Sequence, residues 1–386
     1  MQKLGTPFPA LTEASRSVLI DLLVHGPASR ADLARRAGLS PASLTRITRS
    51  LVDVDLVTES DAASPQRTGR PSQPLDVNVD LAHLVGIKLS ATQLNLVTTD
   101  LRARILSERT VPMSATDPET VTATIAEVVS QQISTDPSIC AVGVSLAGPV
   151  SPRSEVVHVS PFLDWSDVPL VRMIRESTGL PAVVENDVRA LTAAEHWFGA
   201  AAGCRDFVLV TIGVGVGCGI VVDDRLVDGA SGGSGQIGHL PVTEWGPLCE
   251  RGHRGCVRSY LSSTSIVGQV STALGRDVGY DEVLTLAARG NPVARRVVDE
   301  AGRALGTLIG TIAAITAPTK VLVSGEGVAL ASVALDTTAA YARAVQHWTL
   351  PDVPIEIAPF TFTEWAKGAA VIALRNQLDS ALRPDA

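Results

Sequence analysis

Apolar side chains recur at three- and four-residue spacing through the first fifty residues, which is the period of amphipathic helices. One apolar face runs from residue 13 to residue 24 and ends at Gly26-Pro27. Ser29 then stands three positions before Asp32, the pattern of a helix N-cap, and the helix that it opens stops at Gly38. The pattern therefore predicts two short helices joined by a tight connection.

A third helix is predicted from Ser40, because a serine cap followed by Pro41 suits a helix start. Its apolar positions are Leu44, Ile47 and Leu51. Its other faces carry short hydroxyl groups and two arginines: Ser43, Thr45, Arg46, Thr48, Arg49 and Ser50. Small polar groups can approach base edges in the major groove of DNA, and arginine can bind guanine or phosphate. This is therefore the candidate recognition helix.

A hairpin is predicted after the third helix. Residues 56–59 and 75–79 favour strands, with turn-forming residues between them. Arg67 and Arg70 flank Gly69 near the tip, where arginine can enter a narrow minor groove. Three helices and a hairpin in this order predict a winged helix-turn-helix over residues 1–78, called the head below. The alternative is an ordinary helical bundle whose arginines only face water.

The charge distribution favours DNA contact through the head alone. The net charge is −8, yet residues 1–75 carry nine Lys and Arg against seven Asp and Glu, while the remaining 311 carry 23 against 33. An acidic body is repelled by phosphates. The predicted contacts with a double-stranded DNA operator are Ser40, Ser43, Thr45, Arg46, Arg49, Arg67 and Arg70.

The rest of the chain repeats a strand–turn–strand pattern. Residues 83–89 and 93–100 form the first pair, residues 207–212 and 220–223 the second, and helical segments follow at 120–133 and 266–273. We therefore expect two similar α/β lobes with a cleft between them. The predicted lobes are residues 79–200, completed by a C-terminal helix at 364–383, and residues 201–363.

The composition points to the cytoplasm. The chain has no apolar run long enough to span a membrane, and its N-terminus lacks the pattern of a secretory signal. Five cysteines in 386 residues do not form a disulfide framework. A reducing compartment is therefore expected, with no membrane partner.

Five motifs in the body resemble those of the ROK family of repressors and sugar kinases, and the head matches the repressor branch. They are VGVSLAGPV (142–150), VEND (184–187), GVGVG (213–217), GQIGH (235–239) and the loop from Cys249 to Cys256. The resemblance implies a two-lobed actin/hexokinase-like (ASKHA, ribonuclease H-like) sugar-kinase body. It also implies a homodimer or tetramer that places two heads on adjacent operator half-sites.

The kinase motifs of that family are altered in this chain. Where the resemblance implies an Mg²⁺-binding aspartate and two phosphate-binding glycines, the sequence has Lys88, Ser90 and Ala91, and a threonine of the second phosphate turn is Val214. A lysine cannot coordinate Mg²⁺. We therefore expect neither ATP nor Mg²⁺ and no enzymatic activity, although Asp187 matches the family's general base.

The sugar-binding positions implied by the resemblance are also altered. Asn186, Asp187 and His239 match the family, but two expected carboxylates are Gln236 and Arg258. An arginine in place of an acid favours a phosphorylated or otherwise acidic sugar as the ligand. The alternative is a body that binds no ligand and serves only for dimerisation.

The family's closed zinc site is implied at His239, Cys249 and Cys256, with Arg251 in place of a further cysteine. His253 is available as a fourth ligand at Cys-x3-His-x2-Cys spacing. The alternative is a metal-free loop held together by hydrogen bonds.

These expectations together describe a sugar-responsive DNA-binding transcriptional regulator, by default a repressor. Ligand closing the cleft would shift the heads and change operator affinity. Two alternatives stay open: an ATP-dependent sugar kinase with a regulatory head, and a DNA-binding regulator that needs no effector.

Overall fold

The computed structural model describes residues 8–59, 73–151, 155–229 and 232–382. Its contacts divide the chain into two compact units, Met1–Gly203 with Thr363–Ala386, and Cys204–Phe362. The finer boundaries at residues 78, 200 and 363 stay a prediction. Within the described ranges, no helix is both long enough and apolar enough to cross a membrane.

The head consists of three helices and two short strands: α1 (Glu13–His25), α2 (Arg30–Arg36), α3 (Pro41–Val52), β1 (Val57–Glu59) and β2 (Leu75–Val77). The side chains of Thr12, Ser29 and Ser40 cap the three helices by accepting backbone N–H groups. Gly38, at a φ of 64°, provides the left-handed turn between α2 and α3. The predicted helix-turn-helix is confirmed.

The strands β1 and β2 pair antiparallel, with Val57 opposite Val77. Leu75 also exchanges two backbone hydrogen bonds with Ala28, at 3.0 and 2.9 Å, which joins the hairpin to the start of α2. The predicted tip, with Arg67 and Arg70, lies outside the described residues.

The buried face of α3 is wider than its apolar residues alone predict. Leu44, Ile47 and Leu51 are buried as expected. The predicted placement of Thr48 on an outer face is wrong, because this residue is only 1% exposed. Its hydroxyl donates to the carbonyl of Thr45 at 3.3 Å, so a helix carbonyl satisfies the buried group.

The first unit also contains a five-stranded sheet, built from β3 (His83–Leu89), β4 (Gln93–Thr99), β5 (Ile105–Pro112), β6 (Ile139–Leu146) and β9 (Ala182–Asn186). The strand order is β5-β4-β3-β6-β9, with an antiparallel meander from β3 to β5 and parallel pairing of β3, β6 and β9. The accompanying elements are α4 (Pro118–Thr135), β7 (Val157–Ser160), β8 (Trp165–Val168), α5 (Leu170–Thr178) and α6 (Asp187–Phe198).

The second unit repeats this topology with β10 (Phe207–Ile212), β11 (Val216–Val222), β12 (Arg225–Leu226), β13 (Lys320–Ser324) and β14 (Ile355–Ile357). Their order is β12-β11-β10-β13-β14, again a meander followed by parallel strands. Its helices are α7 (Val257–Leu261), α8 (Ser263–Leu274), α9 (Tyr280–Ala288), α10 (Pro292–Thr316), α11 (Ala329–Val333) and α12 (Leu335–Val345). The predicted pair of similar α/β sheets is confirmed.

The second strand of this unit begins earlier than predicted, at Val216 rather than residue 220. The glycine-rich turn is short, because the N–H of Gly213 already donates to the carbonyl of Gly215 at 3.0 Å. The remaining glycines, Gly217 and Gly219, therefore lie within the sheet.

The C-terminal helix α13 (Phe362–Ser380) covers the sheet of the first unit. A Cβ atom at Gly86 on β3 would lie 2.0 Å from the carbonyl oxygen of Ala366. One at Gly143 on β6 would lie 1.9 Å from that of Ala369. The helix backbone therefore lies directly on two glycines of the sheet, which explains their place in otherwise bulky strands.

This close packing makes Gly86→Ala a destabilising change. The backbone of α13 cannot yield as a side chain can, so we expect the free energy of unfolding to fall by about 1–3 kcal/mol. Gly268→Ala is the matched control: its Cβ would meet nothing within 4 Å, and it lies inside α8. That change should stabilise by about 0.5–1 kcal/mol. Urea unfolding measures both, and equal effects would contradict the packing.

One hydrophobic core joins the head to the sheet of the first unit. A single cluster of buried residues includes Val18, Leu19 and Leu22 of α1, Ala190, Ala193 and Trp197 of α6, and Leu374 and Leu378 of α13. Leu11 also donates its backbone N–H to the carbonyl of Ala381 at 2.7 Å. The head is therefore packed against the first lobe.

Candidate DNA-binding and ligand-binding sites

The exposed face of α3 carries two arginines that have no counterion among the described residues. Arg46 and Arg49 are exposed, and neither forms an ion pair with any residue that the structure describes. The head's other described arginines all pair with carboxylates, namely Arg16 with Asp379, Arg30 with Glu59, Arg35 with Asp32 and Arg36 with Asp21. The uncompensated positive charge of this part of the head therefore lies on α3.

The predicted hydroxyl contacts lie at the start of the same helix. Ser40 accepts the backbone N–H of Ser43 at 3.2 Å, and its hydroxyl donates to that of Ser43 at 3.0 Å. Thr45 is exposed, and its hydroxyl donates to the carbonyl of Pro41 at 2.8 Å. These groups keep acceptor positions on the surface that a nucleic acid would meet.

In the first unit, Lys88 and Asp187 form a buried ion pair. Lys88 lies near the end of β3 and is 7% exposed, and Asp187 begins α6 and is 9% exposed. The ammonium of Lys88 contacts Oδ2 of Asp187 and lies 5.3 Å from the ring centroid of Trp365. The other carboxylate oxygen accepts the N–H of Val188 at 2.9 Å. Both charges are therefore neutralised inside the protein.

The turn after β3 is closed by a side chain. The hydroxyl of Ser90 donates to the carbonyl of Gln93 at 2.8 Å and accepts its N–H at 3.1 Å. Ala91 is exposed beside it. Ser90 therefore satisfies the backbone N–H and carbonyl groups of Gln93 in this turn.

The glycine-rich turn of the second unit carries an apolar side chain and faces a carboxylate. Val214 is 45% exposed. A Cβ atom at Gly213 would lie 2.1 Å from Oε2 of Glu326, so this carboxylate packs directly on the turn. A negative charge here would repel a bound polyphosphate.

Asn186 has a structural role in the first unit. Its side-chain oxygen accepts the N–H of Arg189 at 3.2 Å as the N-cap of α6, and its amide donates to the carbonyl of Gly148 at 3.1 Å. One donor and one acceptor position remain for a ligand. Asn186 and Asp187 belong to the first unit, and the other predicted ligand residues belong to the second.

In the second unit, Gln236 is exposed and Arg258 is half-buried. The Nε of Arg258 forms an ion pair with Glu250 of the cysteine loop. Its Nη1 faces Gly215, whose added Cβ would lie 3.7 Å away. The Nη edge forms no hydrogen bond or ion pair with a described residue and can still bind two oxygen atoms.

Four potential metal ligands converge in the loop after β12. The ligand atoms of His239, Cys249, His253 and Cys256 all lie within 4.8 Å of one another. The Nδ1 of His239 is 3.7 Å from Sγ of Cys249, 3.8 Å from Sγ of Cys256 and 3.1 Å from Nδ1 of His253. A tetrahedral zinc site has ligand separations of about 3.3 Å between two nitrogens, rising to about 3.8 Å between two sulfurs. The donor set therefore fits a Cys2His2 site.

A tight turn brings His253 into this cluster. The N–H of Cys249 donates to the carbonyl of His253 at 2.9 Å, and Gly252 has a φ of 81°. Arg251, at the position where the resemblance implied a cysteine, is exposed. Partial desolvation, followed by the charge of His253, lowers the pKa of His239, so its imidazole is neutral at neutral pH.

Two of the cysteines outside the loop are deeply buried. Burial raises the pKa of Cys140 and of Cys218 to about 12, so both stay protonated thiols. All five cysteines are free. The two in the loop are therefore the candidates for metal binding.

Sequence reasoning missed the partners of two substituted residues. The sequence predicts only the loss of an acid at Lys88, whereas Lys88 pairs with Asp187. It predicts a ligand contact at Arg258, which also pairs with Glu250. The signal was a new cation beside a retained or nearby acid. Trp365, whose ring lies beside the ammonium of Lys88, carried no such signal.

Comparisons with known proteins agree with this architecture. A family model described as "ROK family" matches residues 84–375, and one described as "MarR family" matches residues 11–67. The N-acetylglucosamine repressor of Escherichia coli O6:H1 is 29% identical over 315 residues, 78% of this chain and 77% of that protein.

Several solved structures are similar to this chain. A ROK family transcriptional regulator described as a homolog of the E. coli MLC protein has a TM-score of 0.81, 27% identity and 96% coverage of both chains. A ROK family glucokinase from Streptomyces griseus, in complex with glucose and AMPPNP, has a TM-score of 0.66 and 27% identity, over 76% of this chain and 100% of that chain. Since the ROK model matches well over half of its length, this chain belongs to the ROK family.

Proposed function

We propose that this chain is a sugar-responsive DNA-binding transcriptional repressor of the cytoplasm. The observation that carries the proposal is the outer face of α3. Its two arginines pair with no described residue, in a chain whose kinase-like body has Lys88 paired with Asp187. The repressor and the transcriptional regulator named above, similar over most of this chain, support the same function.

The body is proposed to lack kinase activity. A general base must be free to accept a proton from a sugar hydroxyl, but Asp187 is held by Lys88. The ammonium also stands where the family resemblance places a magnesium ligand, and it would repel the cation. The carboxylate of Glu326, which packs on the glycine-rich turn at Gly213, further disfavours binding of a nucleoside triphosphate. A kinase with a regulatory head is therefore the weaker candidate.

The effector is proposed to be a phosphorylated or acidic sugar. Arg258 is the basis, because Glu250 holds its Nε and leaves the Nη edge beside Gly215 for an anionic group. His239 and Gln236 are exposed for hydroxyl groups. Two copies of the chain are proposed to place two heads on one operator.

The experiment for this function titrates the protein–DNA complex with sugars. Duplexes selected by the full chain from a random pool are labelled, and anisotropy is measured with neutral hexoses, hexose phosphates and uronic acids. A hexose phosphate or uronic acid should change DNA affinity several-fold to about a hundredfold. Response to a neutral hexose alone refutes the acidic-effector proposal. No response to any sugar favours the regulator without an effector.

Zinc is proposed for the cluster of His239, Cys249, His253 and Cys256. Bound there, zinc would crosslink the loop and hold Glu250, hence Arg258, in place. We expect about one zinc per chain by elemental analysis. Cys256→Ser and His253→Ala should both reduce it, whereas Cys204→Ser, a cysteine outside the cluster, should not. Full zinc content in His253→Ala would exclude that histidine as a ligand.

A further inference from the structure

Arg102 links the head to the sheet of the first lobe through four contacts. It lies in the turn between β4 and β5, and its Nη2 donates to the carbonyl of Leu22 at 2.8 Å, its Nε to that of Leu23 at 3.4 Å. Its Nη1 donates to Oδ2 of Asp76 at 3.2 Å, and Nη2 contacts the other oxygen of the same carboxylate. One guanidinium therefore binds two separate elements of the head.

Both elements bear on the position of α3. Leu22 and Leu23 lie in the last turn of α1, where a positive charge is favourable. The carbonyl of Leu22 also accepts the N–H of Gly26 at 3.0 Å, whereas that of Leu23 has no helical donor because residue 27 is a proline. Asp76 lies in β2, opposite Thr58 of the strand that follows α3. A fixed Arg102 therefore fixes the helix and the hairpin that flank the recognition helix.

The turn that presents Arg102 is itself rigid. Asp100 is only 4% exposed, and its Oδ1 accepts the N–H groups of Arg102 and Arg104 at 2.8 and 2.9 Å. Leu101 donates its N–H to the carbonyl of Val79 at 3.2 Å. The guanidinium is thus presented from a turn built into the sheet.

We propose that Arg102 is a positioning residue for DNA recognition. This role rests on the proposed function. Arg102 sets the angle between the head and the first lobe, and therefore the direction in which α3 meets a half-site. The shared apolar core keeps the head attached, and the hydrogen bonds of Arg102 give the attachment one orientation. Two heads held at fixed angles accept only one separation of half-sites.

The test compares Arg102→Met with Arg104→Met in the full chain. Arg104 is exposed two residues further along the same turn, and its side chain contacts no described residue through a hydrogen bond or ion pair. Hydrogen exchange is followed in α1 and β2, with β10 of the second unit as the internal reference. Exchange in the head should be at least about tenfold faster in Arg102→Met, as loss of charged hydrogen bonds implies, and unchanged in Arg104→Met.

The second readout is the dependence of DNA affinity on half-site spacing. Duplexes selected by the wild type are lengthened between half-sites by one to five base pairs. The wild type and Arg104→Met should prefer one spacing, whereas Arg102→Met should bind all spacings within about threefold while its affinity for a single half-site is unchanged. Arg102→Lys, which keeps the charge but not the paired hydrogen bonds, should fall between them.

Two results would overturn the proposal. One is unchanged exchange in the head of Arg102→Met; the other is faster exchange with a spacing preference as sharp as in the wild type. If Arg102→Met does not fold, Asp76→Asn removes the charge pair alone and is read in the same way. If no variant, nor the wild type, binds DNA, the proposed function fails, and the exchange rates still decide whether Arg102 holds the head.

Discussion

Replacing Arg46 and Arg49 together by methionine is expected to weaken DNA binding by at least about thirtyfold, because each arginine that contacts a base or phosphate contributes about 1–3 kcal/mol. Both side chains are exposed on α3 and have no counterion among the described residues, so their removal leaves no buried group unpaired. Methionine is also a good helix former, and the fold of the head should be preserved. Fluorescence anisotropy with a selected duplex measures the change.

The control is Arg172→Met, which removes an exposed arginine from α5 of the body, where it lies 4.0 Å from Glu176. It should leave DNA affinity unchanged. The salt dependence gives a second check, since losing phosphate contacts reduces the slope of log affinity against log salt by about one per contact. Equal binding by the double variant and the wild type would show that α3 does not contact DNA.

Removing the charge of Lys88 is expected to destabilise the first unit by about 3–5 kcal/mol. In Lys88→Met the carboxylate of Asp187 would stay buried without its partner, and breaking a buried pair from one side has this cost. The double variant Lys88→Met/Asp187→Asn should recover most of the loss, because neither charge remains. Urea unfolding of the three proteins measures the effect.

Lys320→Met is the matched control. Lys320 also pairs with a carboxylate, that of Glu356 at 3.0 Å, but on the surface, and its loss should cost at most about 1 kcal/mol. If Lys88→Met were no more destabilising than this control, the pair with Asp187 would not be the buried neutral unit described above. A double variant less stable than Lys88→Met would also contradict a buried ion pair between Lys88 and Asp187.

The head was predictable because its signals are local. Ser29 and Ser40 cap helices whose apolar residues repeat within four positions, and Gly38 separates them. Thr48 was misplaced because a threonine can bury its hydroxyl against a carbonyl of its own helix. That choice depends on the packing around it and leaves no mark in the sequence pattern.

The repeated α/β sheets were predictable from strand–turn–strand patterns, whereas the ion pairs were not. Lys88 and Asp187 are 99 positions apart, and Arg102 and Asp76 are 26 apart. Periodicity describes which face of an element is buried, but not which charged side chains meet across elements. The role of Lys88 was therefore understood only as the loss of an aspartate.

The metal cluster was predictable in part. Cys249, His253 and Cys256 are close in sequence, so their spacing already indicated His253 as a candidate fourth ligand. Whether His253 faces His239 depended on the turn at Gly252, whose positive φ reverses the chain. A glycine tolerates that conformation but does not require it.

DNA footprinting of the unmodified full chain tests whether the protein recognises DNA through its head. Duplexes recovered from a random pool at low salt are cleaved in the presence of the protein, without any added sugar. We expect two protected segments whose centres lie about one helical turn, or a multiple of it, apart. If the folded protein recovers no duplex, or protects the DNA uniformly without preferred segments, it does not recognise DNA through α3.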